Sequence, residues 1–285
     1  MIQRLVRQIA YLRRHPLTAE RPAEALGRFL AWQLKSRLQS EIEFRWIEGS
    51  KLLVKRGMTG ATGNIYCGLH EFVDMAFVLH LLRPGDLFGD VGANIGSYTV
   101  LASAVCGARV MAVEPDPGTV KNLKRNVLLN RVEDRVTIAE TAVGDREGSI
   151  RFTVGLDTMN KVSLQNESAA WREVPLTTLD RLFSSNDPIM LKLDVEGFEA
   201  EVLQGAEQVL ARHTLLAVQS ESRDQRVLDQ LLRHGFVETH YNPFARQLVS
   251  HQSLPQSNGL FVRDKAQVEA RIREAPRFRV LHHEI

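Results

Sequence analysis

The stretch Leu87-Phe88-Gly89-Asp90-Val91-Gly92-Ala93-Asn94-Ile95-Gly96-Ser97-Tyr98 decides how this chain of 285 residues is read. Pro84-Gly85-Asp86 makes a turn ahead of it, a short apolar run follows, and Val100-Leu101-Ala102 opens a helical pattern. A strand, a tight glycine loop and a helix start, in that order, let backbone come close to a bound ligand. The glycines stand at 89, 92 and 96, whereas the dinucleotide fingerprint needs them two and then three residues apart, so that fingerprint is not met. The loop offers instead an acid at the strand end, Asp90, with Gly92, Asn94 and Gly96 at every second position. An acid there holds a cationic amino group, and residues without bulk let the loop wrap a zwitterionic ligand.

On both sides of this stretch the chain alternates between two periods. Strand Asp86 to Val91, helix Ser97 to Val105, strand Arg109 to Val113, helix Pro117 to Leu129 and strand Arg135 to Ala139 read as consecutive βα units. Such alternation predicts a doubly wound α/β fold with helices on both faces of a parallel sheet. The pattern breaks over residues 148–179, where Ile150 to Val154 and Val174 to Leu179 look like strands around an aperiodic polar segment, Gly155 to Arg172, of the kind that forms a lid or substrate wall. It resumes with Ile189 to Val195, a helix carrying Phe198, Val202, Ala206 and Val209, then Leu215 to Gln219, a helix through Val227 and Leu231, Phe236 to His240 and Leu260 to Val262, for a count of seven strands.

Upstream, residues 2–14 place Ile2, Leu5, Val6, Ile9 and Leu12 on one helical face, and a second helix starting at Pro22 runs through Leu26, Leu30, Leu34 and Leu38. Phe44 to Val54 suggests a hairpin, Gly57 to Gly63 reads as turn-rich, and a helix from about Glu71 to Leu82 leads to the first central strand. The expected organisation is a helical cap and hairpin over 1–63, a ligand-binding domain over 64–265 and a tail over 266–285, either a helix or a loose terminus.

The composition, 44% hydrophobic and 25% charged with a net charge of +2, is that of an ordinary globular protein. Residues 1–40 hold eight Lys/Arg and two Glu, a balance of +6 that leaves −4 for the rest, so no nucleic-acid surface is expected on the main domain. The basic amphipathic first helix either lies on an anionic membrane or, as is commoner, docks on its own protein or on a second subunit of a homo-oligomer. Cys67 and Cys106 lack zinc or redox spacing, and no run has the length of a membrane span or of a signal h-region, which together predict a reduced, cytoplasmic protein.

In a doubly wound sheet the ligand lies at the C-terminal strand ends where strand order reverses, which places Asp90 beside Asp194. Glu114 follows strand Arg109 to Val113, lies 24 positions after Asp90 and 18 after Gly96, and has two oxygens to match two vicinal ribose hydroxyls. It is equally a helix-start acid ahead of Asp116 and Pro117. Asn94 suits a left-handed turn whether or not it touches ligand. Glu140, Ala142 and Asp145 follow the third strand, where an adenine ring would stack, although an ordinary polar turn at Gly144-Asp145 explains them equally well. An acid for a cationic amino group, a bulk-free loop and a ribose-binding glutamate together point to S-adenosylmethionine. Asp194 and Glu196 stand at a helix start, where capping explains one acid more easily than two; Glu196 is the candidate to orient or deprotonate a substrate hydroxyl, and Asp194 to support the cofactor or the loop. His240 closes a strand on the same edge and is a candidate base, although a lone histidine is more often structural.

Together these residues resemble the FkbM-type S-adenosylmethionine-dependent methyltransferases. The resemblance rests on Asp90 to Gly96, Glu114-Pro115-Asp116-Pro117, Leu123 with Asn126 and Asn130, Ala142-Val143-Gly144-Asp145, Thr178-Leu179-Asp180, Lys192 to Gly197 with Gly205-Ala206, and Tyr66, Gly68 and Glu71 upstream. It implies a class I methyltransferase fold, Rossmann-like, with seven strands of which the last is antiparallel, and O-methylation of a sugar, glycan or secondary metabolite. By the same resemblance Asp90, Gly92, Asn94 and Gly96 surround the methionine part, Glu114 the ribose and Ala142 the adenine. After the fifth strand the family shows an acid with a nearby His, whereas here Gln219-Ser220-Glu221-Ser222 stands. The rival readings are a nicotinamide-dependent oxidoreductase, disfavoured by the glycine spacing, and a non-catalytic S-adenosylmethionine-binding module.

Overall fold

The computed structural model describes residues 2–153 and 170–285. Most of the polar segment expected as a lid, 155–172, lies outside these residues. The chain begins with α1 (Ile2–Arg14) and α2 (Pro22–Leu38), then the hairpin β1 (Ile42–Arg45) and β2 (Lys51–Val54), then α3 (Thr59–Cys67) and α4 (Phe72–Leu81). The central array follows as β3 (Leu87–Val91), α5 (Ser97–Val100) running into a π-helical turn, β4 (Arg109–Val113), α6 (Pro117–Asn130) and β5 (Val136–Ala139). A side sheet holds β6 (Ala142–Val143), β7 (Gly148–Thr153) and β8 (Trp171–Thr177) in the order β6-β8-β7. The array resumes with α7 (Leu179–Leu182), β9 (Met190–Leu193), α8 (Glu199–Gln204), α9 (Glu207–Ala211), β10 (Ala217–Ser220), α10 (Gln225–Arg233), β11 (Val237–Asn242), β12 (Gln247–Val249) and β13 (Gly259–Val262). It ends with α11 (Lys265–Glu274) and the hairpin β14 (Arg279–Val280) and β15 (His283–Glu284).

The expected doubly wound sheet is present, with strand order β12-β11-β13-β10-β9-β3-β4-β5. β3 pairs parallel with β4 on one side and β9 on the other, so the order reverses there, and β13 is antiparallel to both β10 and β11. The sheet has eight strands rather than seven. The extra one, β12, returns from β11 through a turn in which Asn242 Oδ1 accepts the N–H of both Phe244 and Ala245 at 3.1 Å. Both faces of the sheet are buried, which explains its nearly continuous apolar strands: Phe88, Val110 and Ala112 join one core with α4, while Leu87, Val91 and Val113 join another with α8, α9 and α10.

Two expectations are corrected, and one open choice is decided. The segment 57–63 is not a turn, because α3 begins at Thr59 and buries Ala61, Asn64 and Ile65, and tertiary burial overrides its low helix propensity. Gly63 is required inside that helix, since a methyl group there would lie 2.2 Å from His70 Nδ1. The boundary expected at residue 63 therefore falls within a helix, and Leu12, Leu17, Trp32 and Leu52 of the cap share one core with α4. Of the two readings of the C-terminus, a helix or a loose end, the helix is the one present, as α11. Val268, Ile272, Phe278, Val280 and Ile285 are buried, Phe278 stacks on His80 at 6.0 Å, and Arg271 pairs with Asp86.

The cap docks on its own chain through Leu12, 1% exposed, and through Tyr11, whose hydroxyl hydrogen-bonds His70 Nδ1 at 2.9 Å. In α2 the leucines Leu30, Leu34 and Leu38 face outward, and Ala25 and Trp32 are the buried residues. Cys67 and Cys106 are free and buried, and burial pushes both thiols up to about 12, which makes them inert. No helix among the described residues is long and apolar enough to cross a membrane.

Candidate active site

The glycine loop after β3 is folded by its own backbone. The N–H groups of Gly92 and Ala93 both donate to the Val113 carbonyl, at 3.0 and 2.9 Å, which turns the chain across the end of β4. Gly92 has φ +81°, and a methyl group there would lie 1.9 Å from the Asp194 carbonyl oxygen, so the loop passes against the end of β9 where only glycine fits. Asn94 takes the left-handed conformation, with φ +51°. Gly96, also left-handed, precedes α5 and packs under Leu123.

This geometry encloses a cavity between the C-terminal ends of β3, β4 and β9, of about 1170 Å³ with open solvent at its mouth included. Asp90, Gly92, Asn94, Glu114, Ala142, Asp194 and Glu196 all line it. Gly96 shapes the loop without lining the cavity. His240 does not reach it: β13 inserts between β10 and β11 and carries His240 two strands away from β10's side of the site. That is a correction to the candidate base.

Asp90 is 1% exposed; Oδ2 accepts from the Thr99 hydroxyl at 2.6 Å, and Oδ1 is buried with no hydrogen-bond partner. Burial pushes its carboxyl up. Glu114 braces the loop as well as facing the cavity: Oε2 accepts the Asn94 N–H at 3.0 Å and Oε1 the Asp116 N–H at 2.9 Å. Each oxygen keeps a further acceptor site. Burial pushes Glu114 up to about 7. Asp116 caps α6 through Thr119, as its position ahead of Pro117 predicts.

Lys192, to which the sequence reading assigned no separate role, organises the floor. It is 2% exposed, donates to Asp194 Oδ2 at 2.6 Å, and lies 4.6 Å from the centre of the Tyr98 ring. Burial alone would lower its ammonium pKa; the charges of Asp194, Glu71 and Asp90 outweigh that and raise it. Its signal was a lysine inside the apolar strand Met190–Leu193, which is not a place for an unpaired charge. Tyr98 donates to Glu71 Oε2 at 2.8 Å, adding another acid to the lining. At the mouth, Asp194, Glu196 and Glu221 bring carboxylate oxygens within 4.8 Å of one another. Burial favours the protonated form of Asp194, yet Lys192 and Glu221 hold it below the ordinary range, whereas burial and then Asp194 push Glu221 up to about 8. Asp194 is thus the more acidic member of the pair and Glu221 the less acidic. Glu196 has φ +54°, a left-handed backbone conformation that a glutamate adopts at a cost.

Matches to known proteins assign the family. The FkbM methyltransferase domain matches residues 90–246, more than half of the chain. The chain belongs to the FkbM methyltransferase family. The FkbM 31-O-demethyl-FK506 methyltransferase of Streptomyces tacrolimicus is 32% identical over 169 residues, 55% of this chain and 64% of that protein. The hexuronic acid methyltransferase AglP of Haloferax volcanii is 27% identical over 169 residues, 57% of this chain and 67% of that protein. The chain thus spans about two thirds of these relatives' length. A crystal structure of an FkbM methyltransferase from Methylobacillus flagellatus KT aligns over 84% of this chain and 60% of that one, at 15% identity and a TM-score of 0.43.

Several residues of the family pattern have structural work. Asn126 accepts the Leu53 N–H and donates to the Ile95 carbonyl, and Asn130 both accepts from and donates to Lys51. These asparagines tie hairpin β1–β2 and the glycine loop to α6. Asp180 accepts the N–H groups of Gln208 and Val209 at the start of α9, and a methyl group on Gly205 would meet the Gly144 carbonyl at 2.0 Å.

Proposed function

We propose that this cavity binds S-adenosylmethionine and that the protein O-methylates a hydroxyl of a sugar, glycan or secondary metabolite. The observation that carries the reading is Asp90 Oδ1, a buried acceptor without a partner in the wall of the cavity. A buried unsatisfied oxygen needs an explanation, and a ligand ammonium supplies one. The lining fits the rest of the molecule: five acids, Glu71, Asp90, Glu114, Asp194 and Glu196, against one lysine favour a cation, Glu114 has acceptor capacity for two hydroxyls, and Ala142 with Phe152 offers an apolar wall to a purine.

When bound, S-adenosylmethionine supplies a methyl group on a cationic sulfonium, an electrophile for a substrate oxygen. The protein's own part is alignment, bringing donor and acceptor to about 3–3.5 Å. Glu196 at the mouth accepts the hydroxyl proton. Asp194, held ionised by Lys192, keeps the floor anionic and is not the proton acceptor. The acceptor class is supported by the names of the relatives, one of which refers to an O-demethyl compound and the other to a hexuronic acid. The family match disfavours a nicotinamide oxidoreductase. Incubation with methyl-labelled S-adenosylmethionine and a panel of hydroxylated sugars, sugar acids and polyketides tests the reading; label in a new O-methyl ether group is expected, and cofactor binding without transfer to any of them contradicts it.

A further inference from the structure

Outside the lining of the β3–β9 cavity, the C-terminal hairpin carries two adjacent histidines whose rings converge. Leu281, with φ +57°, turns the chain between β14 and β15, and the ring centres of His282 and His283 come to 4.0 Å. Neighbouring residues of a strand normally point to opposite faces, so this convergence is a product of the turn. Nε2 of each ring is buried and has no hydrogen-bond partner. Glu20, between α1 and α2, completes the group: its Oε2 lies 3.6 Å from His282 Nε2, and one ligand atom from each of the three residues lies within 4.8 Å of the others.

We propose that Glu20, His282 and His283 form a binding site for a divalent transition metal of the zinc class, which clips the N-terminal cap to the C-terminal hairpin. Two imidazoles and one carboxylate are borderline ligands that suit zinc or cobalt and not magnesium or calcium. A tetrahedral ion with bonds of about 2.0–2.2 Å spaces its donors about 3.4 Å apart, a contraction from the present set, which lies within 4.8 Å. Glu20 is 71% exposed, which leaves an entry path and a position for water. A metal here joins residues from opposite ends of the sequence, and at a hundredfold excess over its Kd raises the unfolding temperature by on the order of 5 °C.

The test is titration of the full chain, without a histidine tag, with Co²⁺, followed by visible absorption and calorimetry. One Co²⁺ per chain is expected, displaced by Zn²⁺ and not by Mg²⁺. Glu20→Gln is expected to weaken binding by about tenfold or more, and the pair His282→Ala with His283→Ala to abolish it. Lack of saturable binding below about 1 mM, well outside the range of structural zinc sites, overturns the proposal. So does undiminished binding in the double variant, which would place the ion at the separate Asp194, Glu196 and Glu221 group. If the double variant does not fold, unchanged affinity in Glu20→Gln, an exposed position, is sufficient to overturn it.

Discussion

Lys192 Nζ donates to Asp194 Oδ2 at 2.6 Å, and in the neighbouring strand Asp90 stands directly opposite the same lysine. One buried cation thus sits between two carboxylates, one from each strand that flanks the reversal of strand order. It holds Asp194 in its charged form and leaves Asp90 Oδ1 free for a ligand cation.

Lys192→Met removes that cation and leaves two acids without a counter-charge. The expected loss of stability is about 3 kcal/mol, the low end for breaking a buried pair because the Asp194 side chain is 33% exposed. Urea unfolding measures it, and a change under about 1 kcal/mol, the value of a surface pair, would show that the ion pair is only superficial.

Gly92→Ala places a methyl group 1.9 Å from the Asp194 carbonyl at φ +81°. Backbone strain and overlap together are expected to cost on the order of 3 kcal/mol and to open the loop. Thermal unfolding and cofactor titration on the same variant read both effects, and wild-type values for both would contradict the close approach.

Much of this was legible beforehand because each signal was local. The glycine spacing, the acid after β4 and the alternation of periods gave the sheet, its reversal and the loop. The short strand β12 was missed because three residues carry no period, and α3 because its helicity comes from burial and not from Thr59, Gly60 and Gly63. His240 was misplaced because sequence order does not show that β13 enters between β10 and β11. Lys192 was visible as a lysine in an apolar strand, but its partners come from Glu71, Asp90 and Asp194, which only the fold brings together.

The pH dependence follows from Glu114. Burial raises its pKa from 4.5 to about 7, so its contribution to stability is complete below about pH 4.5 and is lost as pH rises through 7. Cofactor affinity takes the opposite course, because the ionised carboxylate is the better acceptor for ribose hydroxyls. Calorimetric titration is expected to show S-adenosylmethionine affinity rising through pH 7, with Glu114→Gln weaker and flat; a pH-independent wild type removes Glu114 from the ribose site.

Glu196→Gln preserves shape at the mouth and removes the proton acceptor. Turnover is expected to fall by about 10²-fold or more while cofactor affinity stays within twofold. Steady-state assays beside equilibrium binding separate the two, and unimpaired turnover assigns the proton to another group.

The central claim is that Asp90 Oδ1 receives the amino group of S-adenosylmethionine. The most direct measurement is calorimetric titration of wild type and Asp90→Asn, a nearly isosteric change that removes the carboxylate charge. Saturable binding of one S-adenosylmethionine per wild-type chain is expected, none of NAD, and at least a tenfold loss of affinity in the folded variant, the scale of a charged hydrogen bond. Equal affinity in the two proteins would contradict it.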